Sequence, residues 1–510
     1  MKMTKAKLLI LLFVLTTGTI NNLFSQSDPD RIKRIEAAIP VIDGLFRDFA
    51  AQNHLPGFVY GLVVDGRLIH TGSFGYSNLA EKFPVNNKSE FRIASMTKSF
   101  TAMAILRLRD EKRLNLDDPV YLYIPEMKGQ KYLTKDAADI TIRNLLTHSA
   151  GFPEDNPWGD RQLDVTEEEL IGTIKKGISF SSNPGTGYEY SNMGFAMLGY
   201  IIAKVSGQSY SDYITENILK PLGMNQTFFE YSKIPDRELA LGYRWLNGKW
   251  EEQPYLHDGA YGSMGGMISS ADDFSRYVSF HLSAWPPRND EEMGPLKRSS
   301  LREMQSPWNL SGFDPEFRYP GGRECPVVTA YGYGLGWMKD CDGRVMIGHG
   351  GGLPGFGSHW RILPDYGIGI FSFSNLTYAP VGFINLKALD TIIAIANLKP
   401  ARIAVSEILN QRKNELLKLL PEWTNAEKTH IFAENFFMDY SPEALRNEAV
   451  EIFRKAGKIK NIQEIIPENN LRGSFIIECE KGNIEISFTL TPENPPLIQE
   501  YHLREKLIDK

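Results

Sequence analysis

The sequence predicts an α+β fold, in which an antiparallel sheet is flanked by helices and interrupted by an inserted helical subdomain. Two observations carry this prediction. Strand patterns occur near the start of the chain and again after residue 240, whereas residues 120–224 have mostly helical patterns. After Pro400 the composition shifts toward Lys, Glu and Asn, which predicts a separate small α+β domain over residues 401–510.

The composition is that of an ordinary globular protein. Of 510 residues, 42% are hydrophobic and 23% are charged, which is enough for one large core and a second, smaller one. The formal net charge is −6, and the body of the chain has no basic run, so no nucleic-acid partner is expected. Small neutral or cationic molecules and peptides remain possible substrates.

The N-terminus has the pattern of a secretory signal peptide over residues 1–25. Lys2, Lys5 and Lys7 precede the apolar run Leu8–Leu15, and small and polar residues follow. Eight strongly apolar residues are too few to span the ~30 Å of a bilayer core, and no cysteine follows them for a lipid anchor. We therefore expect a periplasmic or secreted bacterial protein with no stable membrane span after cleavage.

The first elements of the main domain, residues 30–398, follow from local patterns. Residues 30–53 place isoleucine, leucine and phenylalanine on one side of an amphipathic helix. The runs GFVYGLVV and RLIHTGSFGY are joined by Asp65-Gly66, a dipeptide that tolerates the positive φ of a tight hairpin turn. They predict the first two strands of the sheet.

Later strands are expected to rejoin this hairpin in one antiparallel sheet, and a cleft between the sheet and the helical insertion is the natural place for a site. A last apolar helix over residues 382–398 would lie across the sheet. The predicted late strands are residues 331–337, 344–352, 357–364 and 367–375.

The C-terminal domain is predicted from its own helix and strand signals. Ser441-Pro442 marks a helix start and Gly457 its end. The runs SFIIECE, NIEISFTL and LIQEYHLREKL follow as strands. This part weakly resembles the small NTF2-like domains that follow hydrolase domains in some exported bacterial proteins, and we interpret it as a packing or recognition appendage.

Three cysteines are too few for a disulfide-stapled scaffold. Cys325 and Cys341 lie 16 residues apart on either side of a predicted strand, so the sequence leaves open whether they form a disulfide. Cys479 lies in an alternating apolar pattern typical of a buried core thiol. The nine histidines show no ligand spacing, so neither a metal nor a cofactor is expected.

The segment around Ser95 and Lys98 is the strongest candidate for chemistry. Helical spacing of apolar residues after Lys98 places Ser95 at the first turn of a buried helix, with Lys98 on the same face. A serine hydroxyl needs a neighbouring base, and a buried lysine needs a functional or ionic reason. The tetrapeptide alone is more typical of a helix cap followed by a solvated lysine than of a catalytic pair, so further motifs are needed.

A second motif, Tyr190-Ser191-Asn192, follows a Gly-rich turn and precedes an apolar helix. A phenol or phenolate beside Lys98 could accept the Ser95 proton and return it to the leaving group. Asn192 could hydrogen-bond both Lys98 and a substrate carbonyl. A tyrosine in such a place more commonly only covers the core.

The third motif, His349-Gly350-Gly351-Gly352, ends a strand pattern. Successive glycines allow a substrate backbone to approach and leave N–H groups free for an oxyanion. Five glycines in the nine residues of GHGGGLPGF would make a poor strand unless close approach were their purpose. We therefore predict that His349, Gly350 and Gly351 bind substrate.

In this order and spacing, the motifs resemble those of the serine hydrolases of the class C β-lactamase and penicillin-binding-protein superfamily. The resemblance spans residues 35–398 and implies a β-lactamase/transpeptidase-like fold. It implies that Ser95 is the acylated nucleophile, that Lys98 and Tyr190 share general acid and base work, and that the N–H groups of Ser95 and Gly352 form the oxyanion hole.

One position departs from the family pattern. Antibiotic-hydrolysing members and transpeptidases usually carry Lys before Thr-Gly, where this chain has His349. Imidazole is mostly neutral at pH 7, so the fixed cation for a substrate carboxylate is missing. The histidine version is familiar from esterase, D-aminopeptidase and D-amino-acid amidase branches, which points to an exported hydrolase of esters or D-residue peptides and amides. The alternatives are a penicillin-binding-like sensor or slow β-lactamase that acylates with little turnover, and a catalytically dead scaffold.

Overall fold

A computed structural model describes residues 30–401 and 403–506. The predicted signal peptide therefore lies outside the described residues. The chain divides into two units, Met1–Lys399 and Pro400–Lys510. Within the described ranges, no helix has the length and apolarity needed to cross a membrane.

The first unit is built on one large antiparallel sheet with two smaller sheets. The strands are β1 Gly57–Val64, β2 Arg67–Asn78, β3 Phe83–Pro84, β4 Phe91–Arg92, β5 Thr227–Phe228, β6 Tyr243–Leu246, β7 Lys249–Glu252, β8 Ile268–Ser269, β9 Asn309–Asp314, β10 Val327–Tyr331, β11 Gly336–Asp340, β12 Val345–Leu353, β13 Phe356–Leu363 and β14 Ile368–Ser374. The large sheet has nine strands in the spatial order β3-β2-β1-β14-β13-β12-β11-β10-β9, and the smaller sheets are β4-β8-β5 and the hairpin β6-β7.

Helices of the first unit either cover the large sheet or form the insertion between its early and late strands. They are α1 Arg31–Gln52, α2 Thr97–Asp110, α3 Ile142–Leu146, α4 Glu167–Lys176, α5 Asn192–Ser206, α6 Tyr210–Ile214, α7 Gly262–Gly265, α8 Ala271–Leu282, α9 Arg298–Met304 and α10 Val381–Ile395. Antiparallel pairing of β1 with β14 joins the early hairpin to the late strands. The predicted α+β architecture is therefore confirmed.

Both faces of the central strand β1 are buried, because helices cover the sheet on each side. Phe58 and Tyr60 pack with α1 and α10 in one core. Val59 and Val63 point the other way, into the core that contains α2 and α8. Side chains alternate between the faces of a strand, so a wholly apolar run such as β1 fits a strand covered on both sides.

The structure corrects the predicted path of the chain at two places. Helix α8 was absent from the prediction, which had strand signals returning after residue 240; Ser270 caps it by accepting a hydrogen bond from the Asp273 N–H. The strand predicted over residues 331–337 is instead the end of β10, a turn over residues 332–335 and the start of β11. That hairpin pairs Val327 with Asp340 at its open end, and Cys325 and Cys341 beside this pair form a disulfide.

The second unit has its own sheet and its own core. The elements of this unit are α11 Glu407–Leu417, α12 Phe436–Asp439, α13 Pro442–Ala456, β15 Ile459–Ile462, β16 Ile466–Asn469, β17 Arg472–Cys479, β18 Asn483–Leu490 and β19 Ile498–Lys506. The strand order is β15-β17-β18-β19, with β16 also paired to β17, and Cys479 is buried in the core as expected. The likeness to NTF2-like domains stays a prediction.

Candidate active site

Ser95 lies in a single 3₁₀ turn, Ala94–Met96, that leads directly into α2. The turn is tight: Ala94 has φ +50°, and the Met96 N–H donates to the Ile93 carbonyl. A positive φ at alanine costs free energy and persists only where the surroundings impose it. The sequence therefore places the hydroxyl at the N-terminal end of a buried helix, on strained backbone next to the sheet.

Lys98 is fully buried and lies one turn further along this segment. Its Nζ donates to Ser95 Oγ at 3.0 Å, to Asn192 Oδ1 at 2.7 Å and to the Met264 carbonyl at 2.9 Å. Burial lowers the pKa of Lys98 from 10.5 to about 7, although the nearby carboxylates oppose this shift. A substantial neutral fraction at pH 7 gives Ser95 a base within hydrogen-bonding distance.

Tyr190, just before α5 in the helical insertion, lines the same cavity as Ser95. Its ring centroid lies 4.8 Å from Lys98 Nζ. Burial raises the pKa of Tyr190 well above 10, and its hydrogen bond with Ser95 only partly opposes this rise. Tyr190 is therefore a phenol at neutral pH, better suited to donate a proton than to remove one, which narrows the sequence expectation of a phenol or phenolate.

Asn192 contacts Lys98 as predicted, but its side chain is fully buried. Its Nδ2 donates one of its two N–H groups to Asn156 Oδ1 at 2.6 Å. The hydrogen bond between its Oδ1 and Lys98 helps to orient the lysine. That Asn192 also binds a substrate carbonyl stays a prediction.

Two residues that sequence reasoning missed fix the turn that carries Tyr190. The Asp155 carboxylate accepts from the N–H groups of Asn192 and Met193 at 2.6 and 2.8 Å, at the N-terminus of α5. The His148 Nδ1 accepts from the Ser191 N–H at 3.1 Å. Both come from the segment THSAGFPED, whose Gly and Pro content indicated a loop and a candidate wall of the active site, but not which of its residues would contact the Tyr190 turn.

His349 lies on β12 with its ring in the cleft. Its Nδ1–H donates to the Gly350 carbonyl, so Nε2 is an acceptor, and the Tyr331 hydroxyl donates a hydrogen bond to it at 2.7 Å. Burial and the Lys98 charge lower the pKa of His349 to about 3. The imidazole is neutral at pH 7, in line with the sequence interpretation.

The glycines after His349 differ in what surrounds them. A Cβ on Gly351 would lie 2.4 Å from both the Ile93 carbonyl oxygen and Ser358 Oγ, and a Cβ on Gly352 would meet the Tyr378 ring at 2.7 Å. Gly350 has no atom closer than 3.6 Å. Gly351 therefore brings β12 against the turn that carries Ser95, a reason different from the predicted approach of a substrate backbone.

Ser95 lines a cavity of about 600 Å³. The third motif and the loop after α3 contribute most of the other residues that line it. The cavity contains the predicted residues Ser95 and Tyr190 together with His349, Gly350, Gly351 and Gly352, and also Glu154, Asn156, Pro157, Asp160, Tyr188 and Tyr378.

A second cavity of about 300 Å³ shares Tyr190, His349 and Gly350 but extends along β12 toward Gly348. Arg361 lines it, and its one hydrogen bond among the described residues is a contact of 3.8 Å to Met346 Sδ.

The described residues also hold one cluster of metal-ligand type, Cys325, Cys341 and Asp342. Since both of its thiols are joined in the disulfide, it does not form a metal site.

Comparisons with known proteins agree with this geometry. The Staphylococcus aureus protein flp is 31% identical over 378 residues, covering 70% of this chain and 68% of the relative. A penicillin-binding protein homologue from Pyrococcus abyssi, described as octameric, has a similar fold with TM-score 0.57 and 23% identity over 92% of this chain and 96% of its own. A class C β-lactamase is similar with TM-score 0.54 and 20% identity over 68% of this chain and 94% of its own.

The β-lactamase family model matches residues 42–393, which include Ser95, Lys98, Tyr190 and His349. This range is more than half of the chain and covers the whole of the large sheet. The chain belongs to the β-lactamase family.

Proposed function

We propose that this protein is a serine hydrolase that forms an acyl-enzyme on Ser95 and acts on esters or on peptides and amides that contain a D-residue. The contact that carries the proposal is the 3.0 Å hydrogen bond between Lys98 Nζ and Ser95 Oγ in a fully buried setting. A lysine whose pKa is lowered toward 7 is a competent base at neutral pH.

In this mechanism, neutral Lys98 accepts the Ser95 proton as Oγ attacks the substrate carbonyl. The negative charge that develops on the carbonyl oxygen is stabilised by the N–H groups of Ser95 and Gly352. Tyr190, a phenol, donates a proton to the leaving group and is reprotonated through Lys98. Water then attacks the acyl group by the reverse route, which returns Ser95 to its starting state.

The neutral His349 favours esters and D-amino-acid amides over β-lactams. A β-lactam carries a carboxylate, and a fixed cation at position 349 would pair with it in the low dielectric of the cleft. The imidazole, with a pKa lowered to about 3, offers at most one hydrogen bond.

A substrate panel tests the proposal: p-nitrophenyl acetate, a D-Ala-D-Ala peptide, D-alanine p-nitroanilide and nitrocefin, each assayed with wild type and Ser95→Ala. We expect steady turnover of at least one of the first three substrates, and none by the variant. A single stoichiometric burst with no further turnover would instead support the sensor alternative. Equal rates for wild type and Ser95→Ala would refute the mechanism.

We also propose that the protein is exported. The lysines and the apolar run of residues 1–25 support this, and a structural disulfide between Cys325 and Cys341 fits an oxidising compartment. Cell fractionation with N-terminal sequencing of the mature protein tests it. A cytosolic protein that retains residues 1–25 would contradict it.

A further inference from the structure

The cavity that contains Ser95 has an acidic wall. Asp160 and Glu154 line it, and none of its described lining residues is a lysine or an arginine. His349, the remaining titratable base in the lining, is neutral at pH 7. A substrate group that enters this cavity therefore meets negative charge and no side-chain cation at its walls.

Asp160 is the more constrained of the two carboxylates. It is 3% exposed and lies in the 3₁₀ turn Gly159–Arg161. Its Oδ2 accepts from the Tyr378 hydroxyl at 2.9 Å, whereas Oδ1 is buried with no hydrogen-bond donor among the described residues. A buried carboxylate oxygen without a donor is costly, so a ligand that supplies one would be bound favourably.

Groups around Asp160 do not supply that donor. Burial raises the pKa of the Asp160 carboxyl, and the hydrogen bond from Tyr378 and the nearby Lys98 charge oppose this rise. The hydrogen bonds of Lys98 itself go to Ser95, Asn192 and Met264. Arg161 also acts on Asp160 only at a distance, and Asp155, which repels it, is occupied by the backbone of α5. When Lys98 is neutral and ready to act as base, the acidic wall has lost its nearest balancing charge.

We propose that Asp160 binds the ammonium group of the substrate, so that the preferred substrates are aminoacyl esters or amides with a free amino group. This inference rests on the proposed serine hydrolase function and narrows its substrate class. An ammonium group carries several N–H donors and a positive charge, which matches an acceptor oxygen on an acidic wall beside the nucleophile. Asp160 thus acts as a specificity residue on the acyl part of the substrate.

The test compares D-alanine p-nitroanilide with N-acetyl-D-alanine p-nitroanilide, which differ in the charge of the amino group. For wild type we expect kcat/KM to be about tenfold or more higher for the free amine, the scale of one charge-assisted hydrogen bond. Asp160→Asn should bring the ratio of the two values close to one. The asparagine keeps an oxygen that can accept from the Tyr378 hydroxyl. The variant therefore removes the negative charge at position 160 and retains the hydrogen bond with Tyr378.

Tyr378→Phe is the matched control, because it removes the hydrogen bond and keeps the carboxylate. It should retain the preference for the free amine within about twofold. A thermal melt of both variants checks folding. A preference lost in Tyr378→Phe as well as in Asp160→Asn would show that cleft geometry matters and Asp160 charge does not, which would overturn the inference.

Wild type alone gives a second readout. The ratio of kcat/KM values should fall as pH rises through the α-amino pKa of about 8, because the substrate loses its charge while titration of Lys98 affects both substrates alike. Turnover of p-nitrophenyl acetate with no preference for the free amine would refute this inference and leave the proposed function standing. No Ser95-dependent turnover of any panel substrate would refute the proposed function itself.

Discussion

Gly351 provides a sharp test of how the sheet supports the nucleophile. In a Gly351→Ala variant the new methyl group would lie 2.4 Å from the Ile93 carbonyl oxygen and 2.4 Å from Ser358 Oγ. These two atoms are already joined by a hydrogen bond of 2.7 Å from Ser358 Oγ to the carbonyl. The methyl group must therefore push β12 away from the turn that carries Ser95 or separate this bonded pair.

The size of the effect follows from the distances. Relief to an ordinary contact of 3.4 Å needs a movement of about 1 Å, most of it in backbone. Overpacking of this kind costs about 1–3 kcal/mol of unfolding free energy. A misplacement of about 1 Å at a reacting centre can cost about 10²-fold in rate, so we expect a loss of that order in kcat/KM for p-nitrophenyl acetate.

Gly350→Ala is the matched control on the neighbouring residue. Its methyl group would have His359 Cδ2 as nearest neighbour at 3.6 Å, an ordinary contact. We expect its unfolding free energy, measured by urea denaturation, to stay within about 0.5 kcal/mol of wild type. If Gly351→Ala were as stable and as active as Gly350→Ala, the close packing of β12 against the Ser95 turn would be refuted.

Three further predictions concern the proton path and specificity. Lys98→Ala and Tyr190→Phe should each lower kcat for D-alanine p-nitroanilide, whose leaving nitrogen must be protonated, by ~10² or more, and the double variant should lose little beyond either one; strict additivity would indicate separate roles. Wild-type kcat/KM for p-nitrophenyl acetate should rise with pH through about 7, the pKa to which burial lowers Lys98, because only neutral Lys98 accepts a proton; a profile that falls there would exclude it as the base. His349→Lys should narrow the difference in kcat/KM between p-nitrophenyl acetate and nitrocefin. In wild type the ratio of the two values should stay level from pH 8 to pH 6, because His349 remains neutral. Fast nitrocefin turnover unaffected by the substitution would mean that another residue binds the carboxylate, and Arg361 would be the next residue to change.

Local patterns predicted the elements that carry the nucleophile and the cleft-lining strand. Helix α2 and strand β12 were recognisable because apolar spacing and glycine content are properties of a few consecutive residues. The hairpin of β1 and β2 followed from Asp65-Gly66, which has the positive φ angles the prediction required. The motif order then placed Ser95, Lys98 and Tyr190 in one site, which the structure brings together.

Interactions between distant segments could not be predicted in this way. Asp160 lies next to the site only because the insertion folds back over β12, and its partner Tyr378 is 218 residues away. The true reason for Gly351, contact with Ile93, is likewise visible only when strand and turn are packed together. Helix α8 was missed although Ser270, Asp273 and the spacing of Phe274, Tyr277 and Val278 are an adequate helix signal.

Covalent labelling tests most directly whether Ser95 is the nucleophile that becomes acylated. The protein and its Ser95→Ala variant are each incubated briefly with a p-nitrophenyl phosphonate ester, which phosphonylates a reactive serine and releases p-nitrophenol, and are then analysed by intact-mass and peptide mass spectrometry. We expect one added group for each protein molecule, located on the peptide that contains Ser95, and no addition to the variant. A label on another serine, or equal labelling of the variant, would contradict the mechanism.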